Sequence, residues 1–99
     1  MKNSSPVLLQ LSPGDNVYVA VRDLSAGTEL LIEGNKVVLE CTIGLGHKLA
    51  AHPIMAGEKI IKCNAPIGSA TQDIALGEHV HLHNLKSDYL PTQAGEMAQ

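Results

Sequence analysis

One ten-residue pattern occurs three times along this chain, and it constrains the fold more than any other feature. Each copy has a polar residue, an apolar residue, a glycine and then an apolar segment that is typical of a strand. The three copies are RDLSAGTELL, HPIMAGEKII and QDIALGEHVH. Their glycines are Gly27, Gly57 and Gly77. Because glycine adopts positive φ angles at little cost, each copy predicts a tight turn that leads into a strand.

The spacing of the copies and the residue types available for a core indicate one small β domain. The glycines are separated by 30 and then 20 residues, which is not the fixed period of a solenoid. The chain has 99 residues, no Trp and no Phe, so its core consists of small aliphatic side chains. We therefore expect a mostly-β fold with long folded hairpins, and no deep active site enclosed by this chain alone.

Local signals predict where the elements begin and end. NVYVAVRDL alternates as a strand does, and Gly34-Asn35 supplies the positive φ angles of a hairpin turn. At most one short helix is expected, near Leu49–Ala51, where good helix formers precede a proline. We expect a domain over residues 11–85, an N-terminal tail over 1–10 and a C-terminal tail over 86–99.

Charge and hydropathy exclude two classes of partner. The net charge is −3, and the seven lysines and arginines form no cluster, so nucleic acid binding is not expected. No apolar run is long enough for a signal peptide or a membrane span, so we expect a cytoplasmic protein without membrane contact. Cys41 and Cys63 form no CxxC motif and are expected to be reduced thiols.

Three motifs in one order resemble a known family. Gly46-His47-Lys48, then HPIMAGEKIIKCNAPIG, then DIALGEHVHLHN are similar to the SAF domain of the altronate/galactarate dehydratase family, which has the β-clip fold. The similarity runs from about Asp15 to Asn84. The last motif most resembles the N-terminal domain of altronate dehydratases and the small subunit of sulfolactate sulfo-lyases. One departure is Cys63-Asn64, where the family usually has Tyr-Gly.

The resemblance implies a function and a partner. The chain is expected to be the small subunit or N-terminal SAF domain of a sugar-acid dehydratase of the altronate type, inactive alone and completed by a large subunit or domain. The implied substrate is a hexonate, a hexarate or a sulfolactate-type acid, and the implied cofactor is a divalent metal, Fe²⁺ or Mn²⁺. The alternative is a non-enzymatic SAF module that only binds a partner.

The G-H-K triplet is the first candidate site. In such a dehydration a base removes a proton α to a carboxylate, and an acid assists the departing hydroxyl. His47 and Lys48 are the candidate catalytic residues, and Gly46 and Lys48 the candidate substrate-binding residues. Imidazole transfers protons near neutral pH, and an ammonium neutralises an enediolate. The structural alternative is that His47 caps the loop while Lys48 is solvated.

The histidines of HVHLH are the second candidate site. On a strand, His79, His81 and His83 would lie on one face about 6.5–7 Å apart, with Val80 and Leu82 facing the core. Three residues so spaced cannot all bind one compact metal site, so at most two bind one ion and a third ligand comes from elsewhere. His81 and His83 are the expected metal ligands. A solvent-facing or partner-facing row and a pH switch are the alternatives.

Overall fold

The computed structural model describes residues 7–88, and within that range it contains nine strands and no helix. The strands are β1 (Leu8–Leu9), β2 (Val17–Ala20), β3 (Glu29–Ile32), β4 (Asn35–Val38), β5 (Lys48–Ala50), β6 (Lys59–Lys62), β7 (Ala65–Ala70), β8 (His79–Val80) and β9 (Leu85–Lys86). The mostly-β prediction is confirmed. None of the described residues forms a helix long and apolar enough to cross a membrane.

The strands form three antiparallel sheets. The central sheet has the order β1-β2-β5-β8, the second sheet is the hairpin β3-β4, and the third has the order β6-β7-β9. The site expected for a helix, Leu49–Ala51, instead contains the end of β5. Leu49 and Ala50 point to opposite faces of the sheet and both are fully buried, so tertiary packing overrides their helix propensity.

The ten-residue pattern has a fourth copy, CTIGLGHKLA, which sequence analysis treated as part of a glycine-rich loop. All four turn glycines have positive φ, between +79° and +89°. In each turn the residue after the glycine donates its N–H to the carbonyl three residues earlier, at 2.9–3.1 Å. This is the hydrogen bond of a type II turn, which favours glycine at the third position. His47 is therefore the last residue of one of four turns that share the same backbone hydrogen bond.

The four turns associate in two pairs, and each pair has its own hydrophobic cluster. Backbone bridges join Leu24 to Ile43 and Ile54 to Ile74. The first cluster contains Ala20, Leu24, Leu30, Ile32, Leu39, Ile43 and Leu49. The second cluster contains Val17, Ala50, Ile54, Ile60, Ala70, Ile74 and Val80. Both clusters draw on the central sheet, so the sheet is buried on two faces although the domain is small.

Both hairpin turns depart from simple sequence rules. The β3–β4 turn is Glu33-Gly34, with φ of +50° and +85°, one residue earlier than Gly34-Asn35. Ile32 pairs with Asn35, so Asn35 already belongs to β4. The prediction of positive φ was correct for Gly34 and wrong for Asn35, because the register of the strands, rather than residue preference, selected the turn.

The β6–β7 turn contains two non-glycine residues at positive φ, Cys63 at +54° and Asn64 at +61°. The buried carboxylate of Asp15 accepts their backbone N–H groups at 2.9 and 2.8 Å, and that of Ser12 at 3.1 Å. Burial alone would raise the pKa of the Asp15 carboxyl, but the N–H donors hold it below its ordinary value. This distant side chain therefore compensates for the absence of glycine in the turn.

The paired residues extend beyond the expected domain limits of 11–85. Leu8–Leu9 pair with β2, and Leu85–Lys86 pair with β7. Strand pairing therefore includes the end of the expected N-terminal tail and the start of the expected C-terminal tail. Residues 1–6 and 89–99, which contain the rest of both expected tails, lie outside the described residues.

Candidate functional site

Three imidazoles from distant parts of the chain meet at one side of the central sheet. The Nδ1 atom of His47 lies 3.0 Å from the Nε2 atom of His79. One ring nitrogen from each of His47, His79 and His81 lies within 4.8 Å of the others. We call these three residues the histidine cluster.

The backbone of the central sheet positions His47. Its carbonyl accepts the N–H of Ala20 at 2.9 Å, and Gly46 donates to the carbonyl of Ala20 at 2.8 Å, so the turn is fixed to β2. A side chain at Gly44 would place its Cβ 3.3 Å from the His47 ring, tighter than an ordinary contact. The glycine at 44 therefore leaves room for the imidazole.

The pairing of β5 with β8 brings the second histidine to the first. Leu49 pairs with His79, and paired residues of antiparallel strands lie on one face. Since His47 is two residues before Leu49, it lies on that face as well. The 46–48 loop and the start of the HVHLH segment are therefore adjacent.

The strand expected to continue through His83 ends at Val80. The fully buried side chain of Asn84 explains the end: its Oδ1 accepts the His81 N–H at 2.9 Å, and its Nδ2 donates to the His79 carbonyl at 2.8 Å. The chain folds back, so the His81 ring stacks on that of His79 at 5.4 Å and 7°. The prediction that Leu82 faces the core was wrong, because its 79% exposure places it at the surface of this turn.

His83 lies beside the cluster without joining it. Its ring is centred 5.6 Å from that of His79, and it is not among the three residues whose nitrogens converge. Of the two expected ligands, only His81 is therefore among the histidines whose ring nitrogens converge. His79 was missed as a ligand candidate, because its convergence depends on the register of β5 with β8, which no local sequence signal gives.

The setting of His79 favours its neutral form. Burial lowers the pKa of His79, and the nearby charges of His47, His81, His83 and Lys48 lower it further. A neutral imidazole has a free lone pair and is the form that binds metals.

Lys48 lies on the other face of β5 from the cluster. It pairs with Val19 and Val80, whereas His47 shares the face of Leu49. Burial lowers the pKa of Lys48, and the charge of Lys62 lowers it further. His47 and Lys48, both expected to be catalytic, therefore do not converge on one point, although the Lys48 charge reaches His79. Gly46 was expected to bind substrate, and its φ of +85° gives a separate, structural reason for glycine at this position.

A groove of about 420 Å³ adjoins the histidine cluster. Its lining residues are Val37, Val38, Leu39, Glu40, Cys41, Ile43, Ala75, Leu76, Gly77, Glu78, His79 and His83. His79 belongs to both the groove and the cluster, so the two features are continuous. We call it the histidine groove.

The donor set fits a divalent transition metal. Two nitrogens that each lie about 2.1 Å from one ion are themselves about 3.0–3.4 Å apart. The 3.0 Å between His47 and His79 matches that spacing and is also the length of a hydrogen bond between the two rings, while the nitrogens of all three residues lie within 4.8 Å. Imidazole suits iron and zinc, and no carboxylate belongs to this group of described residues. The remaining coordination positions would be open to water, substrate or a second polypeptide.

Comparisons with known proteins agree on one family. A family model described as "Altronate/galactarate dehydratase SAF domain" matches residues 6–88. The chain is 39% identical over 80 residues to an altronate dehydratase of Bacillus subtilis, and 45% identical over 74 residues to one of Escherichia coli. These matches cover 81% and 75% of this chain but only 16% and 15% of the two dehydratases.

A shorter relative is also similar. The chain is 47% identical over 45 residues to a (2R)-sulfolactate sulfo-lyase subunit alpha of Chromohalobacter salexigens, which covers 46% of this chain and 48% of that subunit. The chain therefore spans a small part of the first relatives and about half of this subunit.

Proposed function

Because the chain belongs to the family of altronate/galactarate dehydratase SAF domains, we propose that it is the small subunit or N-terminal SAF domain of a sugar-acid dehydratase of the altronate type. It contributes residues to a metal-assisted dehydration site that a large subunit or domain completes, and it is inactive alone. The small share of the altronate dehydratases that it covers, 15–16%, supports the need for a larger partner.

The histidine cluster is the observation that carries this proposal. His47, His79 and His81 would hold a divalent ion, Fe²⁺ or Mn²⁺, and the lowered pKa of His79 keeps that imidazole available as a ligand. The ion would supply charge stabilisation to the enediolate that forms when the α-proton leaves. The half-buried positions of His47 and His79 limit the competing access of water.

The other candidate residues act around that cluster. His83 lies beside the histidine cluster, next to His79, and its imidazole is proposed to exchange a proton with a substrate held at that cluster. Lys48 is proposed to act through its charge, which reaches His79 from the opposite face of β5. The substrate is a hexonate, a hexarate or a sulfolactate-type acid, and the location is the cytoplasm.

Reconstitution tests the proposal. The chain is mixed under anaerobic conditions with the separately expressed large dehydratase part from the same source, with Fe²⁺ or Mn²⁺, and dehydration of altronate and galactarate and release of sulfite from sulfolactate are measured. We expect no turnover by the chain alone. In the complex, we expect His47→Ala to lower kcat by about 10²-fold or more.

His52→Ala is the matched control, because His52 is exposed, its ring is hydrogen-bonded to the carbonyl of Pro53, and it is not one of the three converging histidines. It should leave kcat unchanged. Full activity of the His47→Ala complex, or no turnover with any of the three substrate types, would refute the proposed function.

A further inference from the structure

The histidine groove is an open slot along two backbone segments, which touch where the Val37 side chain packs on Gly77. Residues on one face of a strand alternate, but this groove is lined by two consecutive runs, 37–41 and 75–79. The first run contains the end of β4 and the second leads into β8. β8 is the last strand of the central sheet, and β4 belongs to a sheet of two strands only.

The β4 edge of this slot has unpaired backbone groups. In a two-residue hairpin the pair that closes the turn, here Ile32 and Asn35, is hydrogen-bonded, and the next pair is not. The N–H and C=O groups of Lys36 and Val38 therefore point away from β3. Within residues 7–88 no further strand pairs with β4, so these groups are available to an incoming strand.

The charge of the slot restricts what can enter it. Its lining includes Glu40 and Glu78 and no lysine or arginine, and most of the other lining residues are aliphatic. The Glu78 carboxylate also accepts the N–H of Ala75 at 2.9 Å. A free sugar acid would bring its carboxylate next to two others. An extended polypeptide with alternating apolar side chains and a lysine or arginine would complement both the apolar walls and the carboxylates.

We infer that the histidine groove is the docking slot for an extended, basic segment of the larger dehydratase part, which adds a strand to the open edge of β4 and ends beside the histidine cluster. This inference rests on the proposed function, because that function supplies the partner. It also explains how a second chain reaches the cluster: His79 and His83 line the slot, so the docked segment brings the partner's groups to the metal ligands.

Two cysteines provide a test within the wild-type chain. Cys41 and Cys63 are both exposed free thiols, but only Cys41 lines the slot. Iodoacetamide labelling is followed by mass spectrometry with and without the separately expressed large dehydratase part. With that part at ten times its Kd, Cys41 should be alkylated about tenfold more slowly, while Cys63 reacts at an unchanged rate.

A pair of substitutions on the β3–β4 hairpin tests the β4 edge. Val38 and Leu31 are both exposed, at 52% and 74%, but only Val38 lines the slot. We expect Val38→Glu to weaken binding of the large part by about tenfold or more, since it adds a like charge to an acidic slot. Leu31→Glu should leave the Kd within about twofold, as most surface substitutions do.

Each contrary outcome has a clear meaning. If an active complex forms while Cys41 keeps its full reactivity, the slot is wrong and the proposed function stands. If Cys41 is protected but the complex has no turnover, the docking stands and the proposed function fails. No binding by the wild type overturns both.

Two further results would also overturn the slot. Cys41 that is unreactive in the dilute free chain would mean that the chain fills its own groove. Cys41 protection that appears in the isolated chain as its concentration rises would mean that a second copy occupies it.

Discussion

The turns at Gly46 and Gly57 have the same backbone but different side chains after the glycine. Their φ angles are +85° and +88°, and each is closed by a backbone hydrogen bond of 3.0 Å. After Gly57, the carboxylate of Glu58 folds back and accepts the N–H three residues earlier. After Gly46, the imidazole of His47 turns away and meets His79. The same turn thus supports a cap in one place and part of a candidate metal site in the other.

A second difference accompanies the first. The Gly46 turn begins at Gly44, where the Gly57 turn begins at Met55 and the Gly77 turn at Ala75. Glycine leaves space for the His47 ring, since a Cβ at position 44 would lie 3.3 Å from it, closer than an ordinary contact. Two positions, 44 and 47, therefore separate the histidine-bearing turn from the structural turns.

The largest expected effect tests whether equivalent turns differ through their surroundings. A Cβ at Gly77 would lie 2.4 Å from Val37 Cγ1, whereas nothing lies within 4 Å of a Cβ at Gly57. Both residues have positive φ, which costs a non-glycine residue about 1–2 kcal/mol. Gly77→Ala should therefore lower the free energy of unfolding by about 3 kcal/mol or more, because overpacking is added. Gly57→Ala is the control, and urea denaturation measures the free energy of unfolding of both variants. An equal loss of stability in the two would mean that Val37 moves aside without cost.

The next effect tests whether His47, unlike Glu58, acts at the site and does not stabilise its own turn. His47→Gln supplies an amide that can cap the turn but is a poor replacement for imidazole as a ligand of a divalent transition metal. We expect kcat of the reconstituted complex to fall about 10²-fold, with the free energy of unfolding changed by less than about 1 kcal/mol. Thr28→Gln is the control, since Thr28 holds the same position in the first turn. A large loss of stability with normal kcat would make His47 structural.

A smaller effect tests the cap itself. Glu58→Ala removes the acceptor of the Met55 N–H and should cost about 1 kcal/mol in thermal or urea unfolding, as lost caps do. Glu40→Ala removes an exposed carboxylate that caps no turn and should change stability by less than about 0.5 kcal/mol. If the two variants have the same free energy of unfolding, the Glu58 cap does not stabilise the turn, and the contrast with His47 is one of geometry alone.

The smallest expected effect concerns the pH dependence that Asp88, two residues after β9, adds to that of Asp15. Hydrogen bonds from Lys59 and Ser69 lower the pKa of Asp88 below its ordinary value. A carboxylate with a lowered folded-state pKa stabilises the fold above its unfolded pKa, and this contribution is lost as pH falls through the folded value. Stability should thus decline below about pH 4, and less so in Asp88→Asn. Identical acid-unfolding curves would contradict this.

Sequence signals predicted the turns better than the site. Glycine at 27, 57 and 77 predicted the turns correctly, since positive φ is a local requirement. The fourth copy at Gly46 was missed because Gly44 made its segment resemble a loop, although Ile43 and Leu45 fit the pattern. The motif order also predicted the family correctly, and the family model confirms it.

Features that depend on strand register could not be predicted in this way. Which histidines converge is decided by the pairing of Leu49 with His79 and by the bonds of Asn84 that end β8. The strand pairing and the Asn84 hydrogen bonds are both contacts that the alternation of apolar and polar residues in the sequence does not specify. The displacement of the first hairpin turn to Glu33-Gly34 has the same origin.

The most direct test of the account is metal binding by the isolated chain. Equilibrium dialysis against Mn²⁺, and against Fe²⁺ under anaerobic conditions, should show a single ion bound by the wild type, with affinity reduced by about tenfold or more in His79→Ala. His52→Ala should bind metal as the wild type does. Weaker binding in His83→Ala would favour the ligand pair expected from the sequence, and unchanged binding would favour the histidine cluster. Binding that is unchanged in His79→Ala, or reduced equally in His52→Ala, would contradict a metal site formed by His47, His79 and His81.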